Sequence, residues 1–82
     1  MSQADFDSYK KQFRKERIMA ELYARDSSYP AELAKLTDSD VSDVEQLLNE
    51  LVADKLVENI AAKYYKLTYE GYSRVKMTRQ IR

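Results

Sequence analysis

The sequence predicts a mainly α-helical fold with one small β-hairpin, in the order α-α-α-β-β-α. Long segments without Gly or Pro repeat apolar side chains every three to four positions, which is typical of helices packed on a core. A short apolar run and a run rich in Tyr follow each other near residue 60, as in a hairpin. Polar breaks rich in N-cap residues separate the segments. A chain of 82 residues is long enough for one domain with a modest core.

Composition excludes several classes of function. The chain has no Cys and no His, so it lacks the usual ligands of zinc, copper and non-haem iron and the commonest general base. Its single Gly excludes glycine-rich phosphate loops, which need two or more. No run of about 18 apolar residues occurs, and the first residues do not resemble a signal peptide. We therefore expect a cytoplasmic protein that is not an enzyme and holds no cofactor or metal.

The net charge of zero averages over segments of opposite sign. Residues 1–25 carry six basic and four acidic side chains, residues 26–62 two basic and nine acidic, and residues 63–82 six basic and one acidic. Two interpretations stay open. The charges are segregated on a solvated surface, or the basic ends bind an anionic partner or the acidic middle of a second copy.

The first helix, predicted over residues 3–25, has two apolar faces. Phe6, Tyr9 and Phe13 share one face, whereas the apolar positions of residues 18–23 lie about half a turn away, at about 100° per residue. A single neighbour cannot cover both faces. We therefore expect either a bend in the middle of this helix or a first half that packs on something other than the domain core, such as a second copy of the chain.

Two further helices are predicted over residues 30–36 and 41–54. Pro30 suits the first position of a helix. The third helix carries a stripe of Val and Leu with core spacing. Three residues are candidates for its N-cap. Ser42 would form a capping box with Glu45, and Ser39 or Asp40 would also cap the helix.

The last third of the sequence predicts the hairpin and a final helix. The first strand covers residues 56–60 and the second, with alternating β-favouring residues, covers 64–68. Thr68 is a good N-cap for a helix over residues 69–80. The connection between the strands lacks the Gly that tight turns often use.

Four stretches occur in a characteristic order and spacing. They are Ile18–Tyr23, Pro30–Leu36 with a Glu-Leu-Ala triplet, Leu48–Val57, and Tyr65–Tyr72 with a Tyr-x-Leu-Thr-x-x-Gly pattern ending at Gly71. Together they resemble the winged helix-turn-helix family, and the last stretch resembles MarR-like and PadR-like regulators. The resemblance covers residues 18–75. It departs from the family at Lys55, where a Gly usually closes the third helix in a left-handed turn.

The resemblance implies a dimeric, DNA-binding transcription regulator. In this family the third helix enters the major groove and the hairpin, or wing, contacts the adjacent backbone. Carried over by position, contacts to base edges fall on Ser42, Gln46 and Asn49. Contacts to the DNA backbone are expected at Lys63 and Lys66 of the wing, and Tyr64 between them either stacks on bases or packs in the sheet. The basic residues Lys10, Lys11 and Arg14 of the first helix either contact the DNA backbone or form solvated surface.

The resemblance also suggests how two copies would associate, because long terminal helices of the family commonly build dimers. The dimer interface is expected at Phe6, Tyr9, Phe13 and Val75. A ligand-pocket wall is the alternative for the first three. The domain then divides into an extended N-terminal helix over 1–16, a helix-turn-helix and wing over 17–68, and a basic C-terminal helix over 69–82.

The charge of the third helix favours a different function. Asp43, Glu45, Glu50 and Asp54 lie on or near its outer surface, and that surface has no Arg or Lys. DNA affinity comes largely from neutralised phosphates. The alternative is therefore a winged-helix interaction module that binds a basic protein partner through this helix and does not bind DNA.

Overall fold

The computed structural model describes the backbone of residues 3–80 and the side chains of residues 9–78. Three helices, an antiparallel hairpin and a final helix follow each other, so the predicted fold class is confirmed. Residues 1–2 and 81–82, and the side chain of Phe6, lie outside the described part. The elements are α1 Gln3–Arg25, α2 Pro30–Leu36, α3 Val41–Ala53, β1 Val57–Ala61, β2 Tyr64–Leu67 and α4 Tyr69–Gln80.

The second half of α1 forms the centre of the core. Ile18, Met19 and Leu22 are 1–2% exposed. The first half of the same uninterrupted helix behaves differently, since Tyr9 is 70% and Phe13 55% exposed. At Tyr9 and Phe13 the first half of α1 therefore lies outside the core of its own domain, and what packs on it stays a prediction.

The other elements enclose these α1 side chains. One face of α3 is buried at the predicted helical spacing, and α2, β1 and α4 each add one or two side chains. Each fully buried Leu or Val contributes about 1.5–3 kcal/mol. Tyr72 of α4 stacks on Tyr23 of α1 with ring centroids 4.9 Å apart. Besides those of α1, the core cluster contains Leu33, Ala34, Val44, Leu47, Leu48, Leu51, Val57 and Val75.

The start of α3 decides between the predicted caps. Asp40 is the N-cap, in an extended conformation, although its side chain makes no capping hydrogen bond. Ser42 lies inside the helix, so the capping box from Ser42 to Glu45 was wrong. The preceding turn is held instead by the Thr37 hydroxyl, which donates to the carbonyl oxygen of Leu33 at 2.7 Å.

The end of α3 adopts a left-handed turn, although no Gly stands there. Lys55 has φ 64°. Its N–H donates to the carbonyl of Val52 and the N–H of Leu56 donates to that of Leu51, both at 3.0 Å, which is the Schellman pattern. A side chain in this conformation costs about 1–2 kcal/mol, so the departure at Lys55 affects stability and leaves the geometry of the turn unchanged.

The same turn is bound to the start of α4. The Thr68 hydroxyl donates to the carbonyl of Lys55 at 2.7 Å and accepts from the N–H of Gly71 at 3.1 Å. The backbone N–H of Thr68 donates to the carbonyl of Leu56 at 3.1 Å. Thr68 is thus the predicted N-cap of α4, and it also anchors the end of α3.

The hairpin is held by side-chain and backbone bonds that the sequence did not suggest. The amide of Asn59 donates to the carbonyls of Ala62 and Tyr64 at 3.0 and 3.1 Å, which supports a turn in which Ala62 has φ 45°. On the outer edge of β2, Ser28 and Tyr65 exchange two backbone hydrogen bonds of 3.0 and 2.8 Å. The hairpin is therefore fastened to the loop between α1 and α2.

Replacing Gly71 by Ala tests the contact between the turn and α4. A Cβ built on Gly71 lies 2.0 Å from the carbonyl oxygen of Leu56, so the two backbones must separate. We expect a loss of about 1–3 kcal/mol in the free energy of unfolding, as for overpacked sites, although Ala otherwise favours helices. Urea titration measures the loss, and Glu70→Ala on the exposed side of α4 is the control. Equal stability of the two variants would contradict this account.

Candidate nucleic-acid interface

The outward face of α3 carries the three side chains expected to contact base edges. Ser42, Gln46 and Asn49 are all exposed. At about 100° per residue they form one row opposite the buried stripe of Val44 and Leu48. This row contains neutral, hydrogen-bonding groups, of which Gln and Asn suit adenine.

The carboxylates of α3 lie to the sides of this row. By the same helical geometry, Asp43, Glu50 and Asp54 share the flank that faces α1, and Glu45 lies on the opposite flank. The outward row of α3 is therefore neutral despite the acidic composition of the helix, and most of the negative charge of α3 borders α1.

Two basic residues of α1 pair with the carboxylates on that flank. The ammonium group of Lys11 lies 3.1 Å from one oxygen of Glu50, and that of Lys15 lies 3.3 Å from the other. Lys15 also lies 3.7 Å from Asp54. The Lys15 side chain is 13% exposed, that of Lys11 48% and that of Glu50 33%. We call these four residues the α1–α3 ion-pair cluster.

The cluster changes the titration of Glu50. The hydrogen bond from Lys11 is the main cause that lowers the pKa of Glu50, and Lys15 adds to it. Since the folded pKa is below the unfolded value, the stabilisation is present above the ordinary glutamate pKa, about 4.3. It is lost as the pH falls through the lower folded value.

A groove lies between the first half of α1 and α3. It has a volume of about 250 Å³, and we call it the α1–α3 groove. The structure thus places the α1 residues that are expected to contact the DNA backbone next to Gln46, which is expected to contact base edges. The groove is lined by Lys10, Lys11, Arg14, Asp43, Gln46 and Leu47.

The wing offers less positive charge than the sequence implies. Lys66 lies 3.6 Å from Glu58 on the neighbouring strand, and both side chains are about half exposed. Tyr64 packs edge-on against Tyr29, with ring centroids 5.6 Å apart. Lys63 is exposed in the turn. Of the three wing residues expected to contact DNA, two are thus already engaged within the protein.

The residues expected at the dimer interface occupy different environments. Phe13 and Val75 line a second groove of about 350 Å³ between α1 and α4, together with Met19 and Arg74. We call it the α1–α4 groove. Val75 is only 8% exposed, so it contributes chiefly to the core of its own chain, whereas Tyr9 and Phe13 present apolar surface.

Other kinds of site find no support in the described residues. Among the described side chains of residues 9–78, no group of three or more Asp or Glu is arranged to hold a metal ion. Within the described backbone of residues 3–80, no helix has the combination of length and hydropathy that a bilayer span requires.

The element order, the capped third helix and the wing define a winged helix-turn-helix fold. No protein-family model and no curated protein matches the sequence. Among solved structures, the fold is similar to the reduced form of MarR from E. coli, with a TM-score of 0.75, 24% identity and coverage of 80% of this chain and 49% of that chain.

Two other solved structures show the same likeness. A MarR family transcriptional regulator from Silicibacter pomeroyi has a TM-score of 0.79 and 20% identity, with coverage of 95% of this chain and 56% of that chain. A mutant of E. coli MarR complexed with operator DNA has a TM-score of 0.71 and 24% identity, with coverage of 80% and 51%. The present chain thus spans about half the length of these proteins, and the likeness establishes its fold.

The ion-pair cluster can be tested by titrating Glu50. We expect its side-chain carbon resonance to show a pKa below the ordinary value in NMR, because Lys11 donates to the carboxylate. Replacing Lys11 by Met removes this donor and raises the pKa towards the ordinary value. Lys35→Met removes a charge from α2 as a control. If the Glu50 pKa is the same in all three proteins, the Lys11 contact is absent in solution.

Proposed function

We propose that the chain is a DNA-binding winged-helix protein that regulates transcription as a dimer and is not an enzyme. The observation that carries the proposal is the α1–α3 groove, in which Lys10, Lys11 and Arg14 lie beside Gln46. Positive charge next to a neutral, hydrogen-bonding helix face is what phosphate binding combined with base contact requires. The cytoplasmic location expected from the sequence remains part of this proposal.

The acidic composition of α3 counts less against DNA than the sequence alone suggests. Glu50 and Asp54 face Lys11 and Lys15 and are paired with them, so their charges are largely compensated where the backbone of DNA would approach. Glu45 and Asp43 are the carboxylates that still repel phosphate. Glutamate and aspartate at such positions accept hydrogen bonds from cytosine, which gives them a role in base discrimination.

The solved structures support the same class of partner. The fold matches that of E. coli MarR, and one of the similar structures is a MarR mutant bound to operator DNA. In the proposed complex α3 lies in the major groove with Ser42, Gln46 and Asn49 towards the bases. The basic residues of α1 contact phosphates on one side, and Lys63, Tyr64 and Lys66 of the wing contact them on the other.

The proposed dimer uses the exposed face of α1. Tyr9 and Phe13 leave more than half of their surface in solvent, and Phe13 borders the α1–α4 groove. A second copy packed there would bury this face, with Phe6 continuing it towards the N-terminus at helical spacing. Val75 supports the floor of the groove from within the core.

The DNA proposal is tested by fluorescence anisotropy with a labelled random duplex. We expect micromolar binding at about 50 mM salt that weakens steeply towards about 200 mM. Replacing both Lys10 and Arg14 by Ala removes about two phosphate contacts, so the slope of log K against log salt falls by about two. Lys76→Ala on α4 is a control for charge. No binding by the wild type at low salt would overturn the proposal in favour of the protein-interaction module.

The dimer proposal is tested by light scattering after size-exclusion chromatography. Replacing Phe6, Tyr9 and Phe13 by Ser removes the apolar face of α1, so we expect a folded monomer, with the fold checked by circular dichroism. Tyr69→Ser, at a Tyr that is 86% exposed on α4, serves as the control and remains a dimer. A monomeric wild type at all concentrations would show the proposed interface to be wrong.

A further inference from the structure

The α1–α3 ion-pair cluster joins the two helices to which the proposed function assigns DNA binding. Lys11 lines the α1–α3 groove and is also the closest partner of Glu50, at 3.1 Å. The same ammonium group is therefore needed for two anions, one in the protein and one in DNA. Lys15, the other partner of Glu50, has a side chain that is only 13% exposed and does not line the groove.

We propose that Glu50 is an internal competitor of DNA phosphate for Lys11 and thereby limits the affinity of the protein for DNA. This inference rests on the proposed function and adds a regulation to the same site. In the free protein Glu50 holds Lys11 against α3. In the DNA complex a phosphate replaces Glu50 as the partner of Lys11, and Glu50 stays paired with Lys15.

Exposure and the number of partners determine which of the two lysines exchanges. Lys15 is nearly enclosed and touches both Glu50 and Asp54, at 3.3 and 3.7 Å, so it remains a link between the helices. Lys11 touches Glu50 alone among the recorded ion pairs of the described side chains, and half of its side chain faces solvent. Exposed ion pairs of this kind contribute little, which allows a phosphate to displace the carboxylate.

The competition has a recognisable dependence on salt. A lysine that leaves solvent for a phosphate releases one condensed cation, and the salt slope rises by about 0.9 for each such contact. When Lys11 leaves Glu50 for a phosphate, the ion-pair cluster has one positive charge fewer and attracts a cation from solution, so the net release is smaller. Removing the carboxylate should therefore strengthen binding and steepen the salt slope together.

The test compares Glu50→Gln with Glu21→Gln in the anisotropy assay with the labelled random duplex. Both changes remove one negative charge. Glu21 is a matched control because its side chain is also 33% exposed and lies 3.3 Å from a basic partner, Arg25, at the other end of α1. Salt is varied between about 50 and 200 mM, and circular dichroism verifies that each variant is folded.

We expect Glu50→Gln to bind about three- to fivefold more tightly than the wild type at about 100 mM salt, in keeping with the loss of an exposed ion pair, with a slope steeper by less than about one unit. Glu21→Gln should stay within about twofold with an unchanged slope. Asp54→Asn, which leaves Lys11 paired with Glu50, should resemble the control. Adding Lys11→Ala to Glu50→Gln should remove the gain in affinity and in slope, because the lysine that would bind the phosphate is gone.

The outcomes separate this inference from the function on which it rests. If the wild type binds DNA and Glu50→Gln behaves like Glu21→Gln, the competition is refuted and the DNA-binding proposal stands. If Glu50→Gln binds at low salt and the wild type does not, the DNA-binding function of the chain is refuted, and the competition is refuted with it as a regulation of that function. If neither binds at low salt, both the competition and the DNA-binding function are refuted.

Discussion

The contact between the end of α3 and the start of α4 is the constraint on which the rest of the fold depends. Thr68 binds the carbonyl of Lys55 with its hydroxyl and the carbonyl of Leu56 with its N–H, while the missing side chain of Gly71 lets the two backbones meet. The wing begins and ends at this contact, so its position relative to α3 is determined there. The Schellman turn at Lys55 stays left-handed because these bonds compensate for its strain.

Electrostatics then determines how the exposed surface of α3 can be used. A helix with several carboxylates repels DNA when it is considered alone. In the folded chain, α1 extends past the core and places Lys11 and Lys15 against the acidic flank of α3, while its other face keeps Tyr9 and Phe13 in solvent. One helix thereby supplies counter-charges to α3, basic side chains to the α1–α3 groove and an apolar face for a second copy.

Much of the fold could be predicted from the sequence, because the signals are local. Helix bounds follow from caps and apolar spacing, and the roles of Thr68 and Gly71 follow from a short motif at one junction. The Ser42 capping box was wrong because several N-cap residues stand in a row before α3 and packing of Leu47 and Leu48 selects the start. The bonds between Ser28 and Tyr65 had no sequence signal, since they depend on distant chain segments brought together by folding. The bonds of the Asn59 amide are local, but they require the left-handed turn at Ala62, which its residue type does not predict.

For the candidate site, the sequence by itself determined the residue types and the segregation of charge along the chain. It also determined that α1 has two separate apolar faces, one in each half of the helix. Those properties depend on composition and helical periodicity alone. Only the tertiary structure decided that the acidic flank of α3 faces the basic side of α1, that Gln46 lies beside Lys10 and Arg14, and that Val75 belongs to the core. Pairing between distant charges depends on how two helices pack, and that packing is set by the buried side chains between them, which carry no charge.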